Sequence, residues 1–251
     1  LPSLPGYIYA VKDRNVYVNL FLSNSSKVSI GGKSVSLSQD TNYPWNGDVK
    51  IKVDNNKAGK FGMKIRIPGW VKGQPVPSDL YSYTDASRPS YKITVNGRSV
   101  PASLTEDGYY TIERNWKKGD VVNVHFDMDV RTVRADNKVE ADRGMVSIER
   151  GPLVYCAEWR DNAFDIMSVL LNREPKFSEG ELPYSSFIAD SLKTKLQLYR
   201  DQNITTLATD AQTLAYDNSG KLTTQNVKLE LIPYFAWCHR GSGNMKVWLP
   251  Q

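Results

Sequence analysis

Met63, Ile65 and Ile67 alternate with Lys64 and Arg66, and Pro68-Gly69 cuts the run off just before Trp70. A period of two places apolar side chains on one face of an extended chain and cations on the other, the pattern of a half-buried strand. Proline lacks the N–H that a central ladder needs, so the strand stops there. The same period recurs along the chain. Val122, Val124, Phe126 and Met128 oppose Asn123, His125, Asp127 and Asp129, and Val16, Val18, Leu20 and Leu22 oppose Tyr17, Asn19 and Phe21. No helical period of comparable strength competes, so the apolar residues must be buried by sheets.

Turn chemistry divides these runs. Gly31-Gly32 between residues 27–30 and 34–37, and Asn96-Gly97 between 91–95 and 98–100, satisfy the positive backbone angles of tight hairpins. Asp13-Arg14-Asn15 joins an opening strand at 7–11 to its return. Further strands are expected at 49–53, 109–114 and 121–130, with 71–90 as loop. Roughly ten short strands without a convincing helix argue for a β-sandwich. Alternation fails between Arg134 and Asp142, where a domain boundary is placed. Beyond it, 145–149 and 153–158 are apolar on both faces, as strands inside a sandwich would be, and Gly151-Pro152 kinks between them. Residues 193–200 and 227–232 read as strands, 172–186 as loop and 208–216 as a short helix. The last strand, at 245–249, pairs within the second domain or crosses back to the first. The fold class is all-β, two consecutive antiparallel β-sandwich domains of jelly-roll type, over residues 7–141 and 142–251.

Forty per cent hydrophobic residues suffice for a core. Thirty-two Lys and Arg against 27 Asp and Glu give a net charge of +5, but the charges are interspersed along the strands. The basic run of a nucleic-acid arm is missing, as is the apolar run of about 20 residues that crosses a bilayer, so neither partner is expected. Two cysteines, Cys156 and Cys238, read as buried thiols rather than as a disulfide scaffold.

Each candidate chemistry meets a plainer reading. Cys156, Cys238, His239 and His125 are zinc-type ligands, but their spacing lacks any Cys-x-x-Cys or His-x-x-x-His pair. Gly241-Ser242-Gly243 only superficially matches a nucleophile elbow, and it sits in a loop. Asp127, Asp129, Glu140, Asp142, Glu149 and Glu158 offer carboxylates for sugar hydrolysis, with solvated strand and loop charges as the preferred reading. Tyr43, Trp45, Trp70 and Trp116, with Tyr109 and Tyr110, lie near strand ends where rings stack on sugars; the first four are the carbohydrate-contact candidates, against a role as core plugs. No catalytic residue and no metal ligand is assigned.

The ordered set Thr41-Asn42-Tyr43-Pro44-Trp45-Asn46-Gly47, Ile65-Arg66-Ile67-Pro68-Gly69-Trp70, Gly108-Tyr109-Tyr110 through Trp116 with Gly119-Asp120, Glu149-Arg150-Gly151-Pro152 through Cys156, and Ile232-Pro233-Tyr234-Phe235-Ala236-Trp237 resembles the carboxy-terminal region of glycoside hydrolase family 127, the β-L-arabinofuranosidase-like enzymes. The resemblance implies an upstream (α/α)6 barrel that carries the acid/base glutamate and a zinc-bound cysteine nucleophile, followed by two β-sandwiches. No position here matches those barrel motifs, and Cys156 and Cys238 fall in sandwich segments. Residues 1–6 would then be the exit from the barrel, and the zinc would belong to the barrel, with no cofactor in this part of the protein. The implied function is a non-catalytic accessory region of a bacterial hydrolase of arabinose-containing glycans, inactive alone, bracing the barrel and mediating homo-oligomerisation, in a periplasmic or secreted protein. The alternative is a free-standing carbohydrate-binding module that uses the strand-end aromatics.

Overall fold

A computed structural model describes residues 2–100, 104–193 and 203–251. In chain order the strands are β1 (Tyr9–Lys12), β2 (Asn15–Val18), β3 (Asn24–Ile30), β4 (Lys33–Thr41), β5 (Asp48–Asn56), β6 (Lys60–Arg66), β7 (Tyr81–Tyr83), β8 (Tyr91–Val95), β9 (Arg98–Ser99) and β10 (Tyr109–Asn115). They continue as β11 (Val121–Phe126), β12 (Val130–Ala135), β13 (Met145–Arg150), β14 (Leu153–Glu158), β15 (Val169–Leu171), β16 (Ser178–Pro183), β17 (Asn203–Tyr216), β18 (Leu222–Pro233), β19 (Met245–Lys246) and β20 (Leu249–Pro250). The fold is all-β and, among the described residues, its strands pair antiparallel apart from β2 with β6. The chain divides into two compact units, Leu1–Gly73 with Ser87–Met128, and Gln74–Ala86 with Asp129–Gln251.

The first unit is built from a four-stranded sheet in the order β1-β2-β6-β10 and a six-stranded sheet in the order β3-β4-β5-β11-β8-β9. Period two decides which side chains enter its core. Val49, Ile51 and Val53 on β5, and Val122, Val124 and Phe126 on β11, are buried, while Lys50, Lys52 and Asn123 between them face water. Both glycine-bearing hairpins form where expected, with positive φ at Gly31, Gly32, Asn96 and Gly97. The alternation through Leu22 does not hold. β2 ends at Val18, and the chain then slips parity, so that Phe21 is buried and Leu22 is exposed. The expected strand over 121–130 also breaks, after Phe126, and its last residue opens β12 in the other unit.

The second unit is one ten-stranded sheet, β15-β17-β18-β14-β13-β12-β7, with β16 beside β17, β19 beside β14 and β20 beside β13. β14 is covered on both faces. Tyr155 and Ala157 join a cluster with Ile148, Leu207, Leu229 and Leu231, whereas Cys156 between them joins Phe187, Ile204, Ile232 and Ala236 on the other side. The final strands pair within this unit, β19 with β14 and β20 with β13. Residues 208–216 are not a helix. They belong to β17, where Thr209, Ala211 and Thr213 are buried at every second position and β-branched threonine suits the pleated ladder with β18. The stretch 172–186 contains β16, paired along β17, and 71–90 contains β7, paired with β12. Both are edge strands of polar composition, whose pairing supplies the order that their sequences do not signal. The strand expected over 193–200 lies, beyond Lys193, outside the described residues.

Candidate functional site

The loop between β4 and β5 carries two of the aromatic candidates. Its shape is set by side chains bonding to backbone. The Thr41 hydroxyl donates to the Asp48 carbonyl at 2.5 Å and accepts from the Tyr43 N–H at 2.9 Å, and Asn46 Oδ1 accepts from the Asp48 N–H at 3.1 Å. The Tyr43–Pro44 peptide is cis. Gly47 lets the loop lie directly on β11: its carbonyl accepts from the Phe126 N–H at 3.0 Å, and a Cβ at Gly47 would collide with the Phe126 carbonyl oxygen.

Tyr43 turns into an aromatic cluster, edge-on to Phe21 with centroids 5.4 Å apart, and its hydroxyl accepts from the Trp70 indole N–H at 3.3 Å. Burial pushes the Tyr43 hydroxyl pKa up, against the opposing effect of that bond. Trp70 packs on Phe126. Trp116 sits elsewhere in the same unit, against Phe61, with its N–H donating to the Phe61 carbonyl at 3.0 Å. Trp70 and Trp116 are 6% and 3% exposed, so both indoles are spent on the core, and Tyr43 is largely spent with them. Trp45 remains partly exposed on the loop.

Beside this loop, on the outward face of β4, β5 and β11, opens a polar cavity of about 370 Å³ lined by Asp40, Asn42, Asn46, Asp48, Lys50 and Asn123, with Thr41, Val49 and Val124. Asp40 pairs in register with Lys50, and Lys50 with Asn123, so three polar side chains form a row across adjacent strands. Of these lining residues, Thr41, Asn42 and Asn46 belong to the Thr41–Gly47 motif, and Asn123 and Val124 to the alternating run of β11; the rest belong to no motif singled out in the sequence. Their outward direction was visible in the alternation, but their alignment depends on strand register. At the rim, Asp48 Oδ1 meets His125 Nδ1 at 2.6 Å, His125 Nε2 meets Asp127 Oδ1 at 3.3 Å, and the Ser90 hydroxyl donates to Asp127. The hydrogen bond to Asp48 raises the His125 pKa, with the Asp48 and Asp127 charges adding to it against partial burial.

The second unit holds two buried charge clusters. Glu158, 1% exposed, accepts from Arg240 and from the Cys238 backbone N–H at 3.2 Å, and Arg240 also bridges to Asp161 at 2.5 Å. Arg131 lies over the Tyr83 ring, 3.4 Å from its centroid, and reaches Asp85 Oδ1 at 3.2 Å, while the Tyr83 hydroxyl donates to Glu149 at 2.8 Å. Burial raises the Glu149 pKa in spite of that bond and the nearby Arg131. Glu149 and Glu158 are therefore not solvated strand charges. Each is buried in an ion-paired or hydrogen-bonded network, the arrangement that buried carboxylates require. Cys156 is buried, and desolvation pushes its thiol up to about 12; Cys238 is exposed, contrary to its reading as a buried thiol. No group of three His, Cys, Asp or Glu residues among the described ones is placed to hold a metal ion.

Comparison with known proteins agrees with this architecture. The family model "Beta-L-arabinofuranosidase, GH127 middle domain" matches residues 15–128, and "Glycoside hydrolase family 127 C-terminal domain" matches residues 130–250. The non-reducing end β-L-arabinofuranosidase of Bifidobacterium longum subsp. longum is 30% identical over 98% of this chain and 35% of its own length. Among solved structures, the GH127 β-arabinofuranosidase BT3674 is 52% identical with a TM-score of 0.88, covering 99% of this chain and 37% of that one. Ara127N, a GH127 β-L-arabinofuranosidase from Geobacillus stearothermophilus T6, is 30% identical with a TM-score of 0.77, over 99% and 35%. The chain thus spans about a third of the length of these relatives. With both matched domains in order along nearly its whole length, the chain belongs to glycoside hydrolase family 127.

Proposed function

We propose that this chain is the non-catalytic accessory part of a bacterial glycoside hydrolase acting on arabinose-containing glycans, in which it braces a catalytic barrel of the same polypeptide. The observation that carries the reading is the coverage: the chain aligns almost end to end with about a third of each relative, and its matched domains are a middle and a C-terminal one. In this reading the barrel holds the zinc, the protein acts in the periplasm or outside the cell, and the sandwiches help to form an oligomer. A free-standing carbohydrate-binding module built on Tyr43, Trp45, Trp70 and Trp116 draws less support, because Trp70 and Trp116 are committed to the core.

The test is direct. Coding sequence upstream of Leu1 is recovered, and the longer protein and the 251-residue chain are assayed on an aryl β-L-arabinofuranoside. Release of arabinose by the longer protein alone is expected. Turnover by the purified 251-residue chain overturns the accessory assignment, and a longer protein inactive on arabinofuranosides overturns the substrate class.

A further inference from the structure

We propose that the polar cavity on the outward face of β4, β5 and β11 is a binding site for one neutral saccharide residue of the glycan, distinct from any use of the buried tryptophans. The proposal rests on the glycan-processing reading above for its choice of sugar, but its geometry stands on the first unit alone.

The cavity's volume of about 370 Å³ falls in the ~300–1,000 Å³ range of small-molecule sites. Its framework and its free groups are separate. Thr41, Asn46 and Asp48 hold the loop through bonds to backbone, Gly47 presses it onto β11, and Asp48 is also tied to His125. Among the described residues, the side chains of Asp40, Asn42, Lys50 and Asn123 make no hydrogen bond or ion pair, and all four are exposed. Asp40, Lys50 and Asn123 stand side by side on adjacent strands, about 4.8 Å from one strand to the next, so that their polar groups face one ligand together. Such a row offers a carboxylate acceptor, an ammonium donor and an amide that does both, with a second amide from Asn42 on the loop.

Charge selects among ligands. Asp40 stands in register with Lys50 and Asp48 is tied to His125, so the site offers no surplus cation to hold a phosphate or a sugar acid. Lys50 stands between Asp40 and Asn123 in the row and opposes a bare cation. A polyhydroxylated neutral ring is what remains, with Trp45 on the same loop next to Asn46. A fixed loop also lowers the ordering cost of binding, so a shallow site of this size suits weak, millimolar retention of a chain whose reacting end is held elsewhere.

The experiment is calorimetric titration of the 251-residue chain with L-arabinose, with an arabinofuranosyl oligosaccharide and with a xylo-oligosaccharide, repeated on Asn123→Ala and Lys50→Ala. Both substitutions lie on the water-facing side of their strands, so thermal unfolding should be unchanged. Saturable binding of the arabinofuranosyl probe, weakened about tenfold or more by each substitution, is the expected result. Absence of saturation with every probe overturns the site, as does binding indifferent to both substitutions. Binding of the xylo-oligosaccharide alone, with the same dependence on Asn123, keeps the site and counts against the arabinose reading. Absence of binding in this chain, alongside arabinose release by the longer protein, overturns the site and leaves that reading intact.

Discussion

At the scale of single residues, the aromatic side chains show how little composition says about role. Trp45, Trp70 and Trp116 each follow or end a strand, and the sequence offers the same two readings for each. Trp116 donates its N–H to the Phe61 carbonyl and Trp70 to the Tyr43 hydroxyl, partners distant in sequence, and both indoles are buried. Trp116→Ala should therefore cost about 3–5 kcal/mol in a urea titration, and any accompanying loss of sugar binding would report unfolding rather than a missing contact. A cost below about 1 kcal/mol would contradict the core assignment. Gly47→Ala should destabilise by about 1–3 kcal/mol, because the new methyl meets a backbone carbonyl that cannot swing aside. Gly243→Ala should cost less, since its obstacle is the partly exposed Trp159 indole. The thiols separate in the same way. At pH 8, iodoacetamide should label Cys238 in the folded chain and spare Cys156, whose thiol stays protonated and covered; equal labelling of both would refute the placement.

At the scale of elements, local signals were legible and pairing was not. Gly31-Gly32 and Asn96-Gly97 announce their hairpins because the turn geometry is dictated by the turn residues themselves. β7 and β16 pass for loop because nothing in Tyr81-Ser82-Tyr83 or Ser178-Glu179-Gly180 says which strand will receive them. The cavity was half legible: Lys50 and Asn123 read as outward-facing, yet only register sets them side by side. The pairing of β11 with β5 also brings His125 opposite Asp48, and that with β8 brings it opposite Lys92. Its raised pKa means that the folded chain holds the proton more tightly than the unfolded one. The stabilisation is therefore complete below the ordinary value of 6.5 and is lost as pH rises through the higher folded value. The effect should be small, since the imidazole is half exposed and screened. An NMR titration of His125 should give a midpoint above 6.5, and His125→Gln should flatten the fall in urea midpoint across that window. A midpoint below 6.5 would show that burial outweighs the two aspartates.

At the scale of the molecule, the two units interleave in sequence. The Gln74–Ala86 segment leaves the first unit to supply β7 to the second. β7 does more than close a sheet edge. Tyr83 stacks under Arg131 and bonds Glu149, Asp85 reaches the same guanidinium, and Tyr81 stacks on Trp248. The Arg131 side chain is 4% exposed, and a protein made only of residues 129–251 would lose the ring that covers that cation and the aspartate that pairs with it. Such a truncation should melt well below the complete chain, and a synthetic peptide of residues 74–86 should raise its melting temperature saturably. An unchanged melting temperature for 129–251 alone would show that β7 is dispensable. The exchange also bears on inheritance. The two family domains meet between residues 128 and 130, yet a recombination event at that junction would deliver a second domain whose edge strand had stayed behind in the gene for the first. Transfer of the pair as a single cassette keeps β7 with the sheet that it edges.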